Sequence, residues 1–266
     1  MAEQSPRLPF WCNKYSRKVR LVTHNLVGKP AKDPPYLIFV PESYEPGYAY
    51  PLLVWLHGLG GDEQQLLRVM PFISLRNYLA VAPRGLAVAF EDGSRGFGWP
   101  QTAEALDFAQ EVVTAAVEAI GSRYHVAVRR TFLCGFADGG TMAIRLALSQ
   151  PHRFAGAASL CGQFPMWGRP LAGLRSQRAL TFLFLTGARS CDFSPEEACR
   201  ALKLLHSAGI NVVLRQYPCG DQMHQAMLAD LNRWIMGEVT GERPFIAGAE
   251  PPSQVLRQRA LRPSAS

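Results

Sequence analysis

A chain of 266 residues with 48% hydrophobic and 18% charged residues can bury one full core, so a single domain with tails is expected. No stretch approaches the roughly 20 apolar residues of a membrane span. The first residues lack the apolar segment of a secretory signal, which predicts a cytoplasmic protein with no membrane span. The formal net charge of +7 comes mostly from scattered arginines that are not interleaved with aromatics, which argues against nucleic acid as a partner.

The first part of the chain predicts an arm and the opening strands. Residues 1–16 lack hydrophobic periodicity and predict a flexible arm ahead of a domain that spans residues 17–239. Two short apolar runs, residues 19–24 and 36–40, lie between Gly, Pro and Lys clusters and predict an antiparallel pair of strands at a sheet edge. Residues 51–56 are almost continuously apolar, as in a strand covered on both faces.

A Gly-rich loop at residues 57–61 follows this strand and would let backbone amides face a ligand. Acidic residues and then apolar residues at helical spacing come next and predict a helix that packs back onto the sheet. Residues 79–82 predict another strand. Residues 86–100, rich in Gly and aromatics, predict a loop over the same sheet edge.

The central part of the chain predicts a strand, a sharp turn and a helix. Residues 102–122 carry apolar side chains at three- and four-residue spacing and predict an amphipathic helix. Residues 131–134 predict a buried strand that runs into Gly135-Phe136-Ala137-Asp138-Gly139. This is the spacing of a G-x-S-x-G nucleophile elbow, whose glycines permit a strained turn, with Ala137 in place of the serine. A helix over residues 139–150 follows.

The rest of the domain predicts further strands and two helices. The strands are predicted at residues 155–160, 181–186 and 211–216, with room for one crossover between each pair. Ser194, Pro195 and Glu197 predict the start of a helix that ends near residue 208. A last helix covers about residues 222–236 and is closed by Gly237. The composition of residues 240–266 predicts a disordered basic tail.

About eight strands, alternating with helices after the second strand, predict an α/β fold. We expect a mainly parallel sheet with helices on both faces, because each parallel crossover places its helix against one face. None of the connections is long enough to hold a cap domain.

Five short motifs follow one another along this fold. They are His57-Gly-Leu-Gly-Gly-Asp-Glu63, Ala82-Pro-Arg-Gly85 followed by Gly96-Phe-Gly-Trp-Pro100, Gly135-Phe-Ala-Asp-Gly-Gly140, Leu160-Cys-Gly162 with Pro165, and Tyr217-Pro-Cys-Gly220. In this order and spacing the chain resembles, over about residues 36–236, the phospholipase/carboxylesterase family of α/β-hydrolases. That family includes acyl-protein thioesterases and small bacterial carboxylesterases.

The resemblance implies hydrolysis of a carboxylic ester or thioester by a Ser-His-Asp triad and two oxyanion-binding amides. It implies a small acyl ester, a lysophospholipid or a thioester as the ligand, and no cofactor. Position by position, it assigns the backbone amides of Leu59 and Asp138 to the oxyanion hole and Asp192 to the triad acid. The nucleophile position is Ala137.

The proton-accepting position is the second departure from the family. The family has Tyr-Pro-Gly-Gly-His before its last helix, and without a gap that His falls on Asp221. His224, three residues further along, is the nearest candidate for a substitute base. Because an engineered knockout would not need both changes, we interpret Ala137 and Asp221 as natural divergence.

Several side chains near this site can be interpreted in more than one way. Asp192 and Asp221, if they face each other, would share a proton and activate a water, with one pKa raised. His57 is interpreted as part of the oxyanion-loop scaffold and not as a base. Trp99, together with Phe97 and Trp167, would either line an acyl pocket or belong to the core.

The six cysteines contain no C-x-x-C pair, so neither a zinc knuckle nor a disulfide scaffold is expected. Cys161, Cys191 and Cys219 lie just past the carboxyl ends of three successive predicted strands. They are either reduced core residues or a thiol or metal site completed by His57 or His224. No bound metal is expected.

Two functions follow from these residues. The chain is either a divergent esterase with weak or no activity, or a non-catalytic module that binds an acyl or aromatic ligand in the same cleft. The oxyanion hole and binding alone can leave a residual rate of about 10³ to 10⁴ over water. The sequence leaves the oligomeric state open.

Overall fold

The structure is a computed structural model that describes residues 35–165 and 171–242. In chain order its elements are β1 (Tyr36–Phe39), β2 (Tyr50–Leu56), α1 (Gln65–Ile73), β3 (Leu79–Pro83), β4 (Leu86–Ala89), β5 (Arg95–Gly98), α2 (Ala103–Gly121), β6 (Val126–Phe136), α3 (Asp138–Ser149), β7 (Gly156–Leu160), α4 (Leu174–Gln177), β8 (Thr181–Gly187), α5 (Pro195–Ser207), β9 (Asn211–Tyr217) and α6 (Gln225–Thr240). None of the helices among these residues is long and apolar enough to cross a membrane.

The main sheet has seven strands in the order β1-β3-β2-β6-β7-β8-β9. β1 is antiparallel to β3, and the other neighbours are parallel. The predicted mainly parallel α/β sheet is therefore confirmed. Of the eight predicted strands, the one at residues 19–24 lies outside the described residues, as do the arm at residues 1–16, most of the tail and Trp167.

The two faces of the sheet bury separate hydrophobic clusters. Along β2, Leu52 and Val54 join the cluster covered by α2, α3 and α5, while Leu53 and Trp55 join the cluster covered by α1 and α6. Successive side chains of a strand point to opposite faces. A strand covered on both faces is therefore apolar throughout, which explains why β2 is a continuous apolar run.

The prediction of a loop at residues 86–100 is wrong. This segment forms a hairpin in which Leu86 of β4 pairs with Gly98 of β5. The turn contains Gly93 at φ +80°, and Asp92 accepts a hydrogen bond from the Ser94 amide at 2.9 Å. Asp-Gly between two short runs is a hairpin signal that the aromatic content of the segment obscured.

The predicted bounds of the last helix are also wrong. α6 begins at Gln225 and passes through Gly237 without a break. It ends only at Gly241, which has the left-handed conformation at φ 80° that terminates many helices. Gly237 is buried inside the helix. A single glycine there lowers the helix propensity but does not end the helix.

Candidate functional site

The sharp turn between β6 and α3 lies at Ala137. This residue has φ 50° and ψ −120°, which is strained for a residue with a side chain. Its amide donates to the Leu160 carbonyl at 2.8 Å, and its carbonyl accepts from the Thr141 amide at 3.0 Å. A methyl group is therefore held, nearly buried, at the carboxyl edge of the sheet.

The backbone around this turn is packed too closely for side chains. A Cβ on Gly139 would lie 2.5 Å from the Leu56 carbonyl oxygen and still closer to that of His57. A Cβ on Gly135 would lie 2.5 Å from the backbone of Gly139. The glycines thus bring the loop after β2 into contact with the start of α3.

His57 is fully buried in that loop, and both of its ring nitrogens are engaged. Nδ1 lies 2.9 Å from the Gly58 carbonyl oxygen, and Nε2 accepts from the Gly85 amide at 3.0 Å. Burial lowers the pKa of His57 to about 4, so the ring is neutral and donates through Nδ1. This geometry suits a scaffold residue and leaves neither nitrogen available to move a proton.

Trp99 is almost fully buried, and its indole ring lies 5.5 Å from the His57 ring. Its amide donates to Oδ2 of Asp138 at 2.7 Å. The side-chain amide of Gln101 donates to the backbone carbonyl of Trp99 at 2.7 Å and to that of Asp138 at 3.2 Å. Trp99 therefore belongs to the core and ties the β4–β5 hairpin to the start of α3.

The Asp138 side chain was not singled out from the sequence, which pointed only to its amide. Burial raises the pKa of this carboxyl group to about 7, although the neighbouring amides of Trp99, Gly139 and Leu59 counteract part of the increase. The only sequence signal is an acidic residue at the first position of a buried helix start.

The side chain of Asp221, the predicted proton-accepting position, lies against the backbone of the loop that carries Asp192, the predicted acid. The carboxylate of Asp221 accepts hydrogen bonds from the amides of Cys191 at 3.0 Å and Asp192 at 3.2 Å. It also accepts from the Ser190 hydroxyl. Asp221 therefore organises the loop that carries Asp192, and Ser190 is a member of the site that sequence reasoning missed.

His224, the candidate substitute base, is turned towards its own helix. Its Nδ1 accepts from the Ala226 amide at 3.2 Å, which makes it the N-cap of α6. The exposed ring stacks on Tyr217, with 6.3 Å between the ring centres. Because Nδ1 caps the helix, this nitrogen is not available as a base at the elbow.

The three cysteines of interest do not converge as one group. Cys161 and Cys219 are buried, and their thiols approach the same Gln222 carbonyl oxygen at 3.5 Å and 3.8 Å. Cys191 is exposed. Burial, and to a lesser degree the neighbouring Cys219 and acidic groups, raises the pKa of Cys161, which disfavours a thiolate. Within the described ranges, no three His, Cys, Asp or Glu residues could hold a metal ion.

A cavity of about 280 Å³ opens beside the Asp192 loop. Its lining residues are Gln163, Phe164, Phe193, Glu197, Arg200, Ala201 and Leu204. Gln163 connects it to the site, because its side-chain amide donates to the Asp192 carbonyl. The adjacent Gly162 lies so close to the turn that a Cβ there would overlap the Ala137 carbonyl oxygen.

Comparison with known proteins places this chain in a family. Residues 29–198 match the model of the family described as "Putative esterase". The chain belongs to this esterase family. The predicted α/β-hydrolase resemblance is confirmed at that level, while the narrower phospholipase/carboxylesterase assignment stays a prediction.

One curated relative of this esterase-family chain is "Putative esterase NocK" of Nocardia uniformis subsp. tsuyamanensis. The two are 31% identical over 121 residues, which is 43% of this chain and 33% of the relative. The matched region thus spans about a third of the relative's length.

Solved structures share the fold of this esterase-family chain. Arabidopsis thaliana SOBER1 is 20% identical with a TM-score of 0.61, covering 72% of this chain and all of that one. The Bacillus cereus carboxylesterase is also 20% identical with a TM-score of 0.61, covering 76% and 93%. Zea mays acyl-protein thioesterase 2 is 15% identical with a TM-score of 0.60, covering 77% and 99%.

Proposed function

We propose that this esterase-family chain is a divergent member of the phospholipase/carboxylesterase group that binds carboxylic esters or thioesters and hydrolyses them slowly or not at all. The observation that carries the proposal is Ala137 at the strained turn between β6 and α3. A methyl group has no lone pair to attack a carbonyl carbon, so the covalent route through an acyl-enzyme is closed.

The hydrogen bonds of the two histidines and of Asp221 support the same proposal. His57 is neutral with both nitrogens engaged, and His224 caps α6 through Nδ1. Asp221 accepts three hydrogen bonds from residues 190–192. We therefore expect these groups to be poor acceptors for the proton of a serine at position 137, because general-base catalysis requires a free acceptor within hydrogen-bond reach.

What remains is a scaffold for binding. We assign the oxyanion role to the backbone amides of Leu59 and Asp138, which no side-chain substitution removes. The ligands proposed are small acyl esters, lysophospholipids and thioesters. Two solved structures with this fold are named as a carboxylesterase and an acyl-protein thioesterase, and these names agree with such ligands. A cytoplasmic location stays a prediction.

A second candidate function is ligand binding without turnover. The cavity beside Asp192 favours it, because Phe164 and Phe193 provide an apolar floor next to the polar Gln163 amide. Such a mixed lining is typical of small-molecule sites. An esterase with residual activity and a binding module differ in turnover, which kinetics measures directly.

The experiment restores the missing groups one at a time. Hydrolysis of p-nitrophenyl acetate is measured for the native chain, for Ala137→Ser, and for Ala137→Ser with Asp221→His. We expect little gain from the single change and at least a 100-fold gain in kcat/KM from the pair, since positioned acid–base catalysis contributes about 10² to 10⁴. The matched control is Ala137→Ser with Asp221→Asn, which keeps an oxygen acceptor for the loop but provides no base.

Two results would contradict the proposal. Robust hydrolysis by the native chain would mean that another residue performs the attack. A full gain from Ala137→Ser alone would mean that the base has been misplaced and that His224 reaches the turn in solution.

A further inference from the structure

One face of α5 forms a wall of the cavity beside the Asp192 loop. The lining residues on this helix are Glu197, Arg200, Ala201 and Leu204. They stand at positions i, i+3, i+4 and i+7, which lie on one face of an α-helix. This wall of the cavity is therefore part of a regular helix.

Two phenylalanines add an aromatic surface to the lining. Phe164 and Phe193 both line the cavity and are almost fully buried. Each ring also packs against Phe184 of β8, with ring centres 6.3 Å and 6.2 Å apart. The core thus holds both rings in place, and they offer a ligand an apolar surface that is already formed.

The volume of the cavity limits the size of its ligand. It measures about 280 Å³, whereas a closed apolar cavity of about 150 Å³ holds one benzene molecule. Ligand pockets in general range from about 300 to 1,000 Å³, so this cavity lies at the small end. It has room for one aromatic ring, or a short aliphatic chain, that carries a small polar group.

Arg200 supplies a cation to this lining. None of the hydrogen bonds and ion pairs among the described residues involves Arg200. Glu196 precedes it by four positions, the order and spacing in which acidic and basic side chains often pair on a helix, but the two do not pair here. Glu197, which also lines the cavity, accepts from the Ser194 amide at 3.0 Å and serves the helix cap. The cation is therefore available to a ligand.

We propose that the cavity binds an aromatic or short aliphatic carboxylate, with its apolar body against Phe164 and Phe193 and its carboxylate on Arg200. A planar guanidinium group suits a carboxylate because it can donate two parallel hydrogen bonds. The inference rests on the ligand-binding role proposed above for this cavity, and it does not require hydrolysis. It names Arg200 as the residue that selects an anionic ligand over a neutral one of the same shape.

The exposure of Arg200 sets the size of this selectivity. An ion pair that is open to solvent changes a dissociation constant by about fivefold at most. Glu197 on the same helix face opposes the preference, and salt screens it. We therefore expect a preference of about three- to fivefold for the carboxylate at low ionic strength, and a smaller one in high salt.

The experiment compares phenylacetate with phenylacetamide, which is neutral and has nearly the same shape. Both are titrated into the full chain at pH 7 and followed by ¹H–¹⁵N spectroscopy. We expect both probes to shift the amides of Ala201 and Leu204, and phenylacetate to bind about three- to fivefold more tightly. In Arg200→Gln the two affinities are expected to be equal. The control Arg129→Gln makes the same change in net charge at an exposed position of β6 and is expected to keep the preference.

The outcomes separate this inference from the proposed function. If both probes bind at α5 with equal affinity, or if the preference survives Arg200→Gln, the role of Arg200 is refuted while the cavity remains a ligand site. An equal loss of preference in Arg129→Gln would also refute it, because net charge would then explain the selectivity. If neither probe shifts the α5 amides, the ligand-binding role fails and this inference fails with it. Robust ester hydrolysis by the native chain would contradict the proposed slow or absent turnover without affecting a preference measured with these two probes.

Discussion

His57 and Asp138, two ionisable groups packed beside the turn, are expected to give the fold opposite dependences on pH. Burial raises the pKa of Asp138 from 3.8 to about 7, so the folded state binds the extra proton between these values. The stability contributed by Asp138 is complete below pH 3.8 and is lost as pH rises through 7. Burial lowers the pKa of His57 from 6.5 to about 4. Its contribution is complete above pH 6.5 and is lost as pH falls through 4.

The size of each effect follows from the pKa difference. A difference of one in pKa corresponds to about 1.4 kcal/mol, so Asp138 contributes about 4 kcal/mol and His57 about 3 kcal/mol over their ranges. Solvent reaches part of the Asp138 residue, which reduces the first figure. Because the two slopes oppose each other between pH 4 and pH 6.5, they nearly cancel in the native protein.

Single substitutions remove the cancellation. Relative to the native chain, Asp138→Asn is expected to lose about 4 kcal/mol of unfolding free energy as pH falls from 8 to 4, because it lacks the favourable protonation. His57→Gln is expected to gain about 3 kcal/mol relative to the native chain as pH falls from 7 to 4. Comparison with the native chain at each pH cancels the contributions of all other titrating groups to the unfolding free energy.

Urea unfolding followed by tryptophan fluorescence at pH 4, 5, 6, 7 and 8 measures these differences. Glu111→Gln, an exposed substitution on α2, is the control and is expected to run parallel to the native profile. Profiles for Asp138→Asn and His57→Gln that also stay parallel to the native one, within about 1 kcal/mol, would refute the reasoning.

Two further predictions concern the scaffold. Ser194→Ala removes the hydroxyl that accepts from the third amide of α5 at 3.2 Å, and is expected to cost about 1 kcal/mol of unfolding free energy in urea. Gly139→Ala forces a Cβ against two backbone carbonyl oxygens, that of Leu56 at 2.5 Å, and is expected to cost at least about 3 kcal/mol or abolish soluble expression. Its control is Gly121→Ala, which meets no atom within 4 Å, and a comparable loss there would contradict the packing argument.

The strands were predictable because burial on both faces leaves a strong local pattern. β2 and β8 are continuous apolar runs that end at Gly or at a polar turn, and neither needs distant information to be recognised. The signal for the start of α5 was equally local, since Ser194 and Glu197 form a reciprocal capping box. By contrast, the end of α6 was mispredicted because Gly237 and Gly241 look alike in sequence and differ only in backbone conformation.

The sequence predicted which positions form the site, but it did not predict which of their atoms bind each other. Parallel strands end at the same edge of a sheet, so motifs that follow β2, β6 and β8 had to meet there. Which atoms bind which is a tertiary property. The contact of Asp221 with Ser190, 31 positions apart, and that of Asp138 with Trp99, 39 positions apart, left no local trace.

The turn and the loop around Asp221 differ in how they respond to a restored triad. The turn is shaped by close backbone contacts at Gly135, Gly139 and Gly162, so a serine at position 137 enters a backbone that does not depend on its side chain. The loop depends on Asp221, whose removal takes away a hydrogen-bond acceptor of one hydroxyl and two amides. Each unsatisfied group costs about 1 to 3 kcal/mol if it stays buried. Restoring the base therefore requires the loop to rearrange, whereas restoring the nucleophile does not.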